Sequence, residues 1–91
     1  MKHAGHDALD RLEPLLAQLR KRVALKEKFR GIFYRGSKAF LHFHEHGAAL
    51  YADLRTGADF ERFAVTTATH RKTLLRHVDA SLGDGTKPRQ R

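Results

Sequence analysis

Residues 31–66 read GIFYRGSKAFLHFHEHGAALYADLRTGADFERFAVT. Turn-forming residues punctuate the stretch at 36–37, around 47 and at 56–59, and apolar residues alternate with polar ones between these breaks. Period-two alternation between turn signals specifies antiparallel strands with one buried face. A four-stranded meander is therefore expected. A two-residue loop at His46-Gly47 pairs Phe43 with Leu50, Leu41 with Ala52 and Ala39 with Leu54 on the inner face. On the outer face it sets His44 against Ala49, His42 against Tyr51 and Phe40 against Asp53. A four-residue turn over 56–59 pairs Ala52 with Phe63, Leu50 with Val65 and Asp53 with Arg62. A Gly36-Ser37 turn sets Arg35 against Lys38, points Ile32 and Tyr34 inward, and leaves Phe33 opposite Phe40 outside.

Helices are expected on both flanks. Leu9, Leu12, Leu16, Leu19 and Val23 recur at steps of three and four, which builds one apolar stripe. Asp7 is the expected N-cap. Pro14 either kinks this helix or opens its main part at the first turn. Residues 23–29 read equally well as a last helical turn or as the start of a strand. Residues 1–6 read as a frayed end, whose His3 and His6 could join a metal site although flexible terminal histidines usually bind nothing. A second helix over 67–82, capped by Thr67 or Thr69 and stopped by Gly83, carries Leu74, Leu75, Val78 and Leu82. One α+β domain over 1–82 follows, in the order α-β-β-β-β-α, with both helices packed on one sheet face. Residues 83–91 are expected to be a disordered basic tail.

The 91 residues carry 18 Lys and Arg against 10 Asp and Glu, a net charge of +8. Such an excess attracts polyanions. There is no cysteine, which excludes disulfides, thiol catalysis and cysteine zinc sites and fits a reducing cytoplasm. No apolar run is long enough to cross a membrane and the first residues lack an apolar signal core. A cytoplasmic protein with no membrane partner is expected.

The outer sheet face admits several functions. Aromatic and basic residues interleaved on an open sheet can stack bases while arginines hold phosphates. On that reading Phe33, Phe40 and Tyr51 form the platform, Arg35, Arg55 and Arg62 surround it, and Arg20, Lys21, Arg22, Arg71, Lys72 and Arg76 add phosphate contacts from the helices. A small non-enzymatic module binding DNA or RNA is the leading expectation. The alternative is an oligomerising structural or regulatory protein, a homodimer joined through the same aromatic face.

A third reading is a site at the His42/His44/Tyr51/Asp53 cluster for a divalent metal or small molecule. His42 and His44, two apart on a strand, share a face and suit one cation. Gly36 followed by His42-x-His44 matches the opening of the cupin metal motif, but the later glutamate is missing and the chain is too short for that barrel. His42, Tyr51, Asp53 and Arg62 would also serve as an acid-base cluster. No nucleophile elbow, phosphate loop or cofactor fingerprint accompanies them, so a non-enzymatic role without a resident cofactor is favoured.

Gly31-Ile-Phe-Tyr-Arg, Ala39-Phe-Leu-His-Phe-His-Glu, Tyr51-Ala-Asp-Leu-Arg and Arg62-Phe-x-Val-Thr resemble a family of small bacterial proteins of unknown function that share this core, a resemblance that spans about residues 20–80. The helix–meander–helix order is similar in architecture to the MmcQ/YjbR-like proteins, whose fold is likened to a double-wing DNA-binding motif. The first likeness implies no activity, and the second transfers no functional residue.

Overall fold

The computed structural model describes residues 1–83. The element order is β1 (Lys2–His3), α1 (His6–Arg11), α2 (Glu13–Arg20), β2 (Lys26–Phe29), β3 (Ile32–Arg35), β4 (Lys38–His46), β5 (Ala49–Arg55), β6 (Phe60–Ala64) and α3 (Ala68–Leu82). Antiparallel pairing orders the sheet β2-β3-β4-β5-β6, and β1 pairs with β4. The fold is thus α+β with an antiparallel sheet, and the four central strands form the expected meander.

The simple α-β-β-β-β-α order needs correction at its N-terminal side. Residues 26–29 form strand β2 rather than a helical turn. Val23 lies outside the helix and is 97% exposed, so it does not join the apolar stripe. The first residues are not frayed. β4 is nine residues long and β3 only four, so β3 leaves part of one β4 edge unpaired. Unpaired edge groups attract another strand, and β1 takes the place, with Lys2 opposite Glu45 and His3 opposite His44. The Ala4 N–H continues the ladder onto the Phe43 carbonyl at 3.1 Å.

The first helix breaks at Leu12, and Pro14 sits in the first turn of α2, where its missing N–H costs little. Gly5, not Asp7, is the N-cap of α1, and its N–H donates to Glu45 Oε2 at 2.7 Å. Thr67 caps α3 as expected: its hydroxyl accepts from the His70 N–H while His70 Nδ1 accepts from the Thr67 N–H.

The β5–β6 register agrees with the expectation, including Ala52 with Phe63 and Asp53 with Arg62. The β4–β5 register slides by two residues. Phe43 faces Ala52, Leu41 faces Leu54, His42 faces Asp53 and His44 faces Tyr51. The cause is the turn. Gly47 has φ +59° and, among the described residues, no residue other than glycine has positive φ. A type II′ turn wants such a residue first, so Gly47-Ala48 forms the loop and His46 closes it opposite Ala49. A two-residue slide preserves the faces, so Leu41, Phe43, Leu50, Ala52 and Leu54 remain inside.

Phe33 and Phe40 are corrected more sharply: both are core, at 0% and 3% exposure. Phe33 faces Leu41 and Tyr34 faces Ala39, which leaves Phe40 as an extra residue on β4. A bulge of this kind sets two successive residues opposite one and re-aims a side chain. Phe40 and Leu41 thus both turn inward against Phe33. Their cluster also holds Leu9, Leu12, Leu16 and Leu19 from α1 and α2, and Leu74, Val78 and Leu82 from α3. The expected tail beyond Gly83 lies outside the described residues.

Candidate metal centre

The polar side of the sheet is built by side chains alternating with the core. On β4, His42 and His44 point away from Leu41 and Phe43. Across β5, Asp53 faces His42 and Tyr51 faces His44. Across β6, Arg62 faces Asp53, and across β1, His3 faces His44. The register slide is what brings Asp53 beside the histidines instead of beside Phe40.

One ligand atom from each of His3, His42 and His44 lies within 4.8 Å of the other two. His42 Nδ1 is 3.2 Å from His44 Nε2, and that nitrogen is 3.1 Å from Asp53 Oδ2. A cation bound tetrahedrally at about 2.0–2.1 Å holds neighbouring ligand atoms about 3.3–3.4 Å apart. The two measured separations therefore have the size of edges of one coordination polyhedron. Two ring nitrogens that face each other repel unless a proton or a cation lies between them, so the arrangement suits either a hydrogen-bonded pair or a shared ion.

Electrostatics favour the ligating form. Burial pushes both His42 and His44 down from the ordinary histidine value, against the opposing pull of Asp53, so both rings hold their lone pairs at neutral pH. Asp53 is 8% exposed and the one buried charged residue among those described. Arg62 grips it with Nε donating to Oδ1 at 2.7 Å and Nη2 to Oδ2 at 2.8 Å. That guanidinium holds the carboxyl below the usual carboxylate range. Its planar fork fixes both oxygens, and Oδ2 also faces His44.

His42 and His44 gain a third imidazole from the N-terminal segment that was expected to be frayed. His3 stacks on His44 with ring centroids 4.6 Å apart, although its segment carries no strand pattern of its own. The surplus length of β4 was the available signal. The other histidines lie elsewhere: His46 is exposed at the hairpin, His6 is exposed on α1, His70 caps α3 and His77 stacks on Phe63 at 4.6 Å. The expected His42–Tyr51 pairing is replaced by His42 with Asp53. Tyr51 is half-buried opposite His44.

The residues expected to hold nucleic acid are dispersed. Phe33 and Phe40 are in the core and cannot stack bases. Arg20 pairs with Glu13 and Glu27, Arg22 with Asp79, and Arg62 with Asp53. Arg71 donates to the Val65 and Thr66 carbonyls, and Arg35 to those of Ser81 and Leu82. Arg55 donates to the Ala39 and Ala58 carbonyls and lies 4.6 Å over the Phe60 ring. Lys21, Lys72 and Arg76 stay exposed, without an ion pair among the described residues. Among the described residues no helix is long and apolar enough to cross a membrane.

No protein-family model, no curated protein and no solved structure matches this chain. No residue role is therefore carried over from a relative.

Proposed function

We propose that this protein binds a divalent transition metal on its outer sheet face, with His3, His42 and His44 as nitrogen ligands and Asp53 Oδ2 as the fourth donor. The reading rests on one observation: three imidazoles brought within 4.8 Å from two strands, with a buried carboxylate oxygen 3.1 Å from one of them. Imidazole and carboxylate donors without sulfur suit zinc, with copper and nickel as competitors. Four protein donors close a tetrahedral site, which fits metal holding or structural support better than hydrolysis, where a position stays open for water.

The assigned roles differ. His42 and His44 lie on the rigid central strand and set the geometry. His3 arrives on the two-residue β1, so metal binding would tie the N-terminus to the sheet. Arg62 positions Asp53. Calorimetric titration of untagged protein with zinc is expected to give one ion per chain. Binding is expected to be lost in the His42→Ala/His44→Ala double variant and weakened about 10–100-fold in Arg62→Ala, the usual range for a residue that orients a ligand. A double variant that stays folded and binds zinc as tightly as the parent would defeat the proposal.

A second reading, phosphate-backbone binding to nucleic acid, is supported by the charge of +8 and by the exposed Lys21, Lys72 and Arg76. It now relies on charge rather than on a stacking platform.

A further inference from the structure

A cleft of about 230 Å³ opens where the β3–β4 hairpin, the β5–β6 turn and the end of α3 meet. Its lining includes Arg35, Lys38, Arg55, Phe40, Thr56 and Ser81, with no carboxylate among the described lining residues. Three cationic side chains converge there, whereas Arg20, Arg22, Arg30 and Arg62 each pair with acids. None of the clustered histidines borders the cleft, so its chemistry is separate from the metal centre.

Both arginines are held by backbone rather than by counter-charges. Arg35 donates from Nη1 to the Ser81 carbonyl at 3.1 Å and from Nη2 to the Leu82 carbonyl at 3.2 Å. Arg55 donates from Nε to the Ala39 carbonyl at 2.8 Å and from Nη1 to the Ala58 carbonyl at 3.3 Å. A guanidinium has five N–H donors in a fixed fork, so each arginine keeps donors beyond the two it uses. Carbonyls orient these groups without cancelling their charge. The ordering cost that usually opposes anion capture is thereby met before a ligand arrives. Lys38 is exposed and adds a mobile third charge. Thr56 and Ser81 bring hydroxyls, and Phe40 gives an apolar wall.

We propose that this cleft binds a small phosphomonoester, its phosphate held by Arg35, Arg55 and Lys38 and its organic part set beside the Thr56 and Ser81 hydroxyls. The cleft is smaller than the roughly 300–1,000 Å³ pockets that enclose drug-sized molecules, which limits the ligand to a compact one. Phosphate fits better than carboxylate because its additional oxygens can engage more than one fork at once.

Calorimetric titration of the full chain with a nucleoside monophosphate, and separately with inorganic phosphate, tests this. The nucleoside monophosphate is expected to saturate one site with Kd at or below about 1 mM and to bind more tightly than free phosphate. Lys38→Glu is expected to weaken it at least about tenfold, the scale of one lost charge-assisted contact. Arg11→Glu, an equal charge change at an exposed position of α1 outside the cleft, is expected to leave it unchanged. Far-UV circular dichroism checks that both variants are folded, and Lys38→Gln repeats the test without charge reversal. Failure to saturate, equal binding of free phosphate, or equal weakening by Lys38→Glu and Arg11→Glu would overturn the proposal.

Discussion

Asp53 shows how much one residue's surroundings decide. It is buried, forked by Arg62 and faced by His44, so its charge is stabilised where an isolated carboxylate would be expelled. Its pairing with Arg62 was legible in the sequence because a four-residue turn fixed it. Its meeting with the histidines was not, because that depended on the neighbouring hairpin. Glu27 is a second carboxylate whose environment makes a prediction. Arg20 holds its carboxyl below the usual range, helped by the Gly31 N–H. The folded state therefore binds this proton more weakly than the unfolded chain. The stabilisation is fully present above the unfolded value, about 4.3, and is lost as pH falls through the folded one. Thermal unfolding followed from pH 7 downwards should show a steeper loss near that value for the parent than for Glu27→Gln. Parallel curves would mean that Glu27 carries no proton-linked stability.

At the scale of elements, hydrophobic alternation fixes which face a residue takes, and so fixes the register only modulo two. A slide of two residues moves every inward side chain to another inward position, so the β4–β5 pattern tolerates either pairing. Turn chemistry decides, and the left-handed Gly47 belongs at the first loop position. The bulge at Phe40 was hidden for a related reason: the continuous apolar run Ala39-Phe40-Leu41 breaks the alternation but does not say which residue is extra. β1 was hidden because two residues carry no period.

The β2–β3 turn makes another element-level prediction. Gly31 has φ +80°, and a Cβ there would lie 2.6 Å from Leu9 Cδ2, whereas Gly36, at φ +63°, has open space around it. Gly36→Ala should therefore cost only the left-handed penalty, about 1–2 kcal/mol. Gly31→Ala should cost more, because the Leu9 side chain must also shift. Equal losses by denaturant unfolding would show that Leu9 does not press on this turn.

Across the whole molecule, the expected α+β class, the central meander and the helical stripes followed from periodicity, and the two added strands followed from edges left open. Each internal ion pair joins a cation to an anion, so the net charge of +8 is left unmatched within the chain. If the remainder serves nucleic acid, affinity for single- or double-stranded DNA or RNA should fall steeply as salt rises from about 50 to 200 mM. Lys21→Glu and Lys72→Glu should each weaken binding irrespective of sequence. Absence of binding at the low-salt end would remove this reading and leave the metal centre untouched.

The metal centre is tested most directly by X-ray absorption of the zinc-loaded, untagged protein, compared with its His3→Ala variant. Three imidazole nitrogens and one oxygen at about 2.0–2.1 Å are expected in the parent, with one imidazole fewer in the variant. A shell without imidazole scattering, or one that His3→Ala leaves unchanged, would contradict the assignment.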